Sequence, residues 1–153
     1  MCTCSYASEK CYEYNAFGGF FMKLGVIDVG GGLRGAFGAG VFDYCLEENI
    51  NFDYAIGVSA GSANVASYMA KQKGRNFVFY TEYLPRWEYM SVKNLVKTGS
   101  YIGLDYIYSA LSDQGGDYPL DWNAIQQDER EMVVVSTDAI TGKAHYFCKN
   151  DMH

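Results

Sequence analysis

Two short apolar runs, each ending in a glycine turn and each followed by a helical pattern, limit what this chain can fold into. The first is Leu24-Gly25-Val26-Ile27-Asp28-Val29, and Gly30-Gly31-Gly32-Leu33-Arg34-Gly35 follows at once. Ala36 to Glu48 then carries Phe37, Val41, Cys45 and Leu46 at helical spacing, with Asp43, Glu47 and Glu48 off that face. Asn49 fits a helix end. The second run, Phe52 to Ile56, leads into Gly57-Val58-Ser59-Ala60-Gly61. Ser59 to Gln72 predicts the second helix, closed by Gly74. Strand, glycine turn and helix, repeated in order, indicate an α/β fold with a parallel sheet.

Parallel strands bring their carboxyl ends to one sheet edge, where α/β proteins bind ligands. Both glycine turns therefore converge on one crevice. A serine between glycines on a sharp strand-to-helix turn is how a hydrolase exposes a nucleophile. Gly57, Val58, Ala60 and Gly61 form that elbow around Ser59, and its small residues keep it slim. Backbone N–H groups freed by Gly30, Gly31 and Gly32 can face a developing oxyanion, and the start of the Ser59 helix adds to the same field. Arg34, inside the turn with Gly35, places a fixed positive charge near the crevice; the plainer reading is a helix-surface arginine in a salt bridge. Gly30–Gly35 also fits the dinucleotide pattern Gly-x-Gly-x-x-Gly. That site needs an acid at the far end of the second strand, and Asp53 stands at its near end. Dinucleotide binding is thus a remote alternative.

Residues 75–111 are rich in aromatics, with Phe77, Phe79, Tyr80, Tyr83, Trp87, Tyr89, Tyr101, Tyr106 and Tyr108. They predict short helices broken near Pro85 and Gly99-Ser100. Their side chains either pack a core or form the wall of an acyl site and an interfacial face. Ser112 to Pro119 reads as a turn-rich loop, and Asp121 as the cap of a short helix through Gln127. Met132 to Thr137 and Lys143 to Cys148 read as a hairpin across Thr141-Gly142.

A formal net charge of −6 argues against nucleic acid as a partner. No apolar run approaches the roughly 20 residues of a membrane span. Cys2, Cys4, Cys11, Cys45 and Cys148 match no zinc spacing, and their odd number suggests free thiols in a cytoplasmic, reducing setting. Acidic residues are scattered and neither His145 nor His153 has a partner at helical spacing, so neither metal nor cofactor is expected. Residues 1–21 resemble neither a signal peptide nor a domain start; they read as a poorly ordered upstream extension, with Met22 a candidate natural start. Residues 22–153 form the domain.

Gly30-Gly31-Gly32-Leu33-Arg34-Gly35 and Gly57-Val58-Ser59-Ala60-Gly61 resemble the two signature motifs of the patatin-like phospholipase family, its bacterial branch in particular. The resemblance continues through Gly40-Val41, Phe52-Asp53-Tyr54, Gly103-Leu104-Asp105-Tyr106, Tyr118-Pro119-Leu120-Asp121 and Thr137-Asp138-Ala139-Ile140-Thr141-Gly142-Lys143. It implies a three-layer α/β/α fold and a lipid acyl hydrolase that uses a Ser–Asp dyad without histidine. By that likeness Ser59 is the nucleophile, and Gly31, Gly32 and the surroundings of Arg34 form the oxyanion hole. The implied substrate is a phospholipid or other lipid ester, met with peripheral contact at the membrane. The family's Asp-Gly-Gly or Asp-Gly-Ala base motif does not occur in the sequence. Asp113-Gln114-Gly115-Gly116-Asp117 precedes the Met132 strand and reads as a surface turn, and Asp138 matches a different family turn. The expectation is a domain incomplete at its carboxy-terminal end, lacking the catalytic Asp and inactive alone. A serine–histidine pair through His145 and a non-catalytic lipid- or partner-binding module are the alternatives.

Overall fold

The structure, a computed structural model, describes residues 12–14 and 20–152. Two short strands, β1 (Tyr12–Tyr14) and β2 (Phe20–Met22), form an antiparallel pair. The expected poorly ordered extension over 1–21 otherwise lies outside the described residues, as do Cys2, Cys4, Cys11 and His153. The main sheet runs β3 (Gly25–Asp28), β4 (Tyr54–Val58), β5 (Glu131–Thr137) and β6 (Ala144–Cys148), in that spatial order. The first three are parallel and β6 returns antiparallel to β5, as the predicted hairpin. The fold is thus mixed α/β with a mainly parallel sheet. Asp28 pairs with Gly57 and Val58 with Val135, so the two glycine turns leave adjacent strands at one edge.

Helices α1 (Gly35–Glu47), α2 (Ala60–Met69) and α5 (Trp122–Gln127) pack on one sheet face. That face carries Val26, Ala55 and Met132, neighbours in register, against Phe42, Val65, Tyr68, Met69 and Ile125. On the other face Ile27 is 63% exposed. Asp121 caps α5 as predicted, accepting the Ala124 N–H at 3.0 Å.

The structure corrects the α1 face. Cys45 is buried and Leu46 packs against the core, as the pattern suggested, but Phe37 is 82% exposed and Val41 is also exposed; Gly35, Ala39 and Phe42 complete the buried side instead. Close approach to α2 selects that face. A Cβ at Gly35 would stand 3.3 Å from the Ala60 Cβ, and one at Gly38 would stand 3.0 Å from Asn64 Nδ2. Small residues at the α2 contact, together with Phe42 and Cys45 in the core, decide which side turns inward. Asp43 is half-buried, accepting the Gly74 N–H at 2.9 Å.

The second strand begins and ends two residues later than predicted. Its first rung pairs Tyr54 with Gly25, while the Asp53 carboxylate accepts the Leu24 N–H at 2.8 Å. Asp53 therefore works as a stitch between strands. Gly74, left-handed at φ 77°, opens α3 (Arg75–Val78) and does not close α2. The 75–111 stretch is helical in short pieces: α3, a π-helical turn at Phe79–Tyr83, α4 (Val92–Thr98) and a second π-helical turn at Tyr106–Leu111. Phe79, Tyr83 and Leu111 form a second small core beneath Tyr118. Cys45 is a free, buried thiol. Cys148, half-buried at the end of β6, is disulfide-bonded, which corrects the expectation of free thiols.

Arg130 grips Asp128 with two N–H groups, Nε to Oδ1 at 2.8 Å and Nη2 to Oδ2 at 2.7 Å, and lies 5.1 Å from the Tyr68 ring centre. The Arg130 hydrogen bonds hold the Asp128 carboxyl below its ordinary range despite partial burial. A depressed folded-state value makes the pair's contribution complete above the unfolded carboxyl value, about 4, and lost as pH falls below that. Asp128→Asn is therefore expected to destabilise the protein at pH 7. The gap from the parent should close below about pH 4, as read by urea unfolding across that range.

Candidate active site

Ser59 sits between the last residue of β4 and the first of α2 with φ 55° and ψ −130°, a conformation costing a non-glycine residue about 1–3 kcal/mol. It is exposed. The packing around it enforces the turn. A Cβ at Gly57 would lie 2.5 Å from the Ser62 Cα, and one at Gly61 would lie 2.2 Å from the Asp28 carbonyl oxygen. Only glycine lets β3, β4 and α2 meet this closely. Among the described residues, no carboxylate or imidazole hydrogen-bonds to the Ser59 hydroxyl. His145 lies on β6, exposed, with its ring centre 4.5 Å from that of Phe147.

The first glycine turn touches the second. Gly30, Gly31 and Gly32 all have positive φ, at 70°, 121° and 60°. A Cβ on Gly30 would come within 2.4 Å of the Val58 carbonyl oxygen and 3.0 Å of the Ala60 nitrogen. The sequence suggested Gly30, Gly31, Gly32, Arg34 and Gly35 together, and the structure divides them. The Gly30 N–H donates to Asp28 Oδ1 at 2.8 Å, the Arg34 N–H to the Gly31 carbonyl at 3.3 Å, and the Gly35 N–H to the carbonyls of Gly32 and Leu33. The Gly31 and Gly32 N–H groups donate to no described residue. The first N–H groups of α2, on Ala60 and Gly61, are unsatisfied by the helix itself. These are the donors an anion near Ser59 would meet. The exposed Arg34 side chain lies back along Gly31, with Nε 3.5 Å from where a Gly31 Cβ would be.

Asp28 and Asn64 hold this arrangement, and neither was singled out from sequence. Asn64, fully buried on α2, donates to Asp28 Oδ2 and to the Gly35 carbonyl, both at 2.9 Å. One side chain thus ties β3, the start of α1 and α2 together. Asn64→Ala strands a carboxylate oxygen and a carbonyl. It is expected to cost about 1–3 kcal/mol, seen as a lower urea midpoint with an unchanged slope.

Ser59 opens onto a cavity of about 330 Å³, the lower end of the ligand-pocket range. Its walls are largely apolar and aromatic, including Leu33, Phe79, Leu84, Tyr89, Met90 and Tyr108. The 75–111 aromatics therefore serve both a core and a cavity wall. Gly32 and Ala60 also line the space, with Tyr80. The Tyr80 hydroxyl lies where a Gly35 Cβ would be, 2.4 Å from that position. Burial, with smaller contributions from Tyr89 and Asp28, pushes this hydroxyl up to about 12, so it is a donor at neutral pH. A second cavity of about 450 Å³, by Trp87 and Asn94, meets the first at Ile102 and Leu104 but contains none of the site residues. No helix among the described residues is long and apolar enough to cross a membrane. No cluster of three or more His, Cys, Asp or Glu among them could hold a metal.

The family model described as patatin-like phospholipase matches residues 29–139, which include both glycine turns and the whole cavity lining. The uncharacterized protein YjjU of Escherichia coli (strain K12) is 31% identical over 93 residues, covering 60% of this chain and 26% of that protein. The chain thus spans about a quarter of the length of that curated relative. No solved structure matches.

Proposed function

The chain belongs to the patatin-like phospholipase family, and on that premise we propose that it carries the nucleophile half of a serine lipid acyl hydrolase site. The observation that bears most weight is Ser59, exposed on a strained strand-to-helix turn beside two uncommitted glycine N–H groups. In this reading Ser59 Oγ attacks the ester carbonyl of a phospholipid or other lipid ester, and the carbonyl oxygen becomes an oxyanion. The Gly31, Gly32 and Ala60 N–H groups receive it, each worth about 3–4 kcal/mol in such a role. The tetrahedral intermediate expels the alcohol, leaving an acyl group on Ser59. Water attacks the same carbonyl, frees the fatty acid and restores the hydroxyl. The apolar walls hold the acyl chain out of water.

Protonation changes need a base. The Asp-Gly-Gly or Asp-Gly-Ala motif is absent from the sequence and no described carboxylate reaches Ser59. We place the base on a segment beyond these 153 residues, so this chain alone turns over esters about 10²–10⁴-fold below the whole protein. Arg34 contributes long-range positive potential, and Gly57, Val58 and Gly61 shape the elbow. The reading includes peripheral contact with a lipid surface at a cytoplasmic location. The test is turnover of a short-chain p-nitrophenyl ester by the whole protein and by its Ser59→Ala variant. Equal rates reject the assignment, and vesicle binding without hydrolysis by the whole protein supports a non-catalytic lipid-binding module instead.

A further inference from the structure

The cavity that Ser59 opens onto is also lined by a buried cation. Arg75, the first residue of α3, is only 4% exposed. Its Nη1 donates to Ser67 Oγ at 3.3 Å, and its Nη2 donates to Ser112 Oγ and the Tyr118 carbonyl, both at 3.0 Å. Its Nε is buried without a partner. The guanidinium lies 4.5 Å from the Phe79 ring centre and 5.6 Å from that of Tyr118. Every partner is neutral, and no carboxylate among the described residues pairs with it.

A charge removed from water without a counter-ion is costly. Burial pulls the Arg75 guanidinium down to about 10, with Tyr118 and Tyr83 opposing, and it stays charged at neutral pH. Tethering α2 to the 112–118 loop needs only a neutral donor. The ring faces and neutral acceptors offset part of that cost but supply no counter-ion; a ligand's anion would supply it, for which a planar guanidinium is well shaped. Ser67, which Arg75 contacts, lies eight residues along α2 from Ser59, or about 12 Å.

We propose that Arg75 is an anion-recognition residue of this cavity, receiving a phosphate or carboxylate oxygen of a ligand whose other end reaches Ser59. That the anion belongs to an ester substrate rests on the hydrolase reading; the anion site itself does not. The substrate class is then an acyl ester with an apolar body and a single oxyanion, rather than a wholly neutral lipid. A phosphate-bearing lipid and a carboxylate-bearing acyl chain share that chemistry.

The test is calorimetric titration of the whole protein, as wild type and as Ser59→Ala, with decyl phosphate, decanoate and decanol below their micelle concentrations. At least one anion is expected to bind tenfold or more tightly than decanol, with and without Ser59. A preference for decyl phosphate points to a phosphate-bearing lipid, one for decanoate to a carboxylate. Arg75→Met should remove the preference, and Arg75→Lys should keep part of it. Decanol binding wild type as tightly as both anions overturns the proposal without any variant, as does a folded Arg75→Met that keeps the full preference. Arg75-dependent anion binding without ester turnover would leave this site standing and end the hydrolase reading. Ser59-dependent turnover without anion preference would do the reverse.

Discussion

Ser59→Ala is expected to reduce ester hydrolysis by the whole protein by several orders of magnitude while leaving the fold intact. Removing the nucleophile of a serine hydrolase typically costs about 10⁶-fold in kcat. The stability change should stay within about 0.5 kcal/mol, because the hydroxyl is exposed and hydrogen-bonds to no described residue. Alanine bears the same φ of 55° that serine does, so the strain of the turn is unchanged. Lost activity with an unshifted thermal transition is the signature of a chemical role. A structural role for Ser59 would move both.

The second large effect is expected at Gly30. Gly30→Ala puts a methyl carbon 2.4 Å from the Val58 carbonyl oxygen and 2.9 Å from the Gly61 nitrogen. Both are backbone atoms of the Ser59 turn, so relief requires moving β4 or α2. Overpacking of this kind costs about 1–3 kcal/mol, and φ of 70° adds about 1–2 kcal/mol for a residue with a Cβ. A total of about 3 kcal/mol corresponds to a fall in Tm of about 6–12 °C for a protein of this size. Activity should fall further than stability explains, because the N–H groups of Gly31 and Gly32 shift with the loop. Gly32→Ala is the control. A Cβ there meets nothing within 4 Å, so only the cost of φ 60° remains, about 1 kcal/mol. Thermal unfolding and ester turnover of the two variants separate steric from conformational cost.

These effects show where the sequence was legible. Strand, glycine turn and helix, read twice, gave the parallel pair β3 and β4 and the meeting of Gly30–Gly32 with Ser59, because strand direction alone forces it. The β5–β6 hairpin was readable for a similarly local reason: Gly142 takes φ 69°, and Asp138 accepts the N–H groups of Ile140 and Thr141, both at 2.8 Å. The α1 face was only half legible: Cys45 and Leu46 pack inward as read, but hydropathy also favoured Phe37 and Val41, while the fold needed small residues against α2. Asp28 was visible before the first turn, but its task depends on Asn64, 36 residues later, and no local pattern links them. Arg75 carries no local signal in the sequence. Its partners at 67, 112 and 118 meet only in the folded chain. The N–H groups were separable only once Gly30, Arg34 and Gly35 were seen to have spent theirs.

The central claim is that Ser59 is an activated nucleophile. Its most direct measurement is exposure of the whole protein to a fluorophosphonate, followed by peptide mass spectrometry. The account predicts one phosphonyl adduct on the peptide containing Ser59, blocked by prior incubation with a lipid ester and absent from Ser59→Ala. An unmodified Ser59 in a protein that still hydrolyses esters, or an adduct on another residue that survives Ser59→Ala, would contradict it.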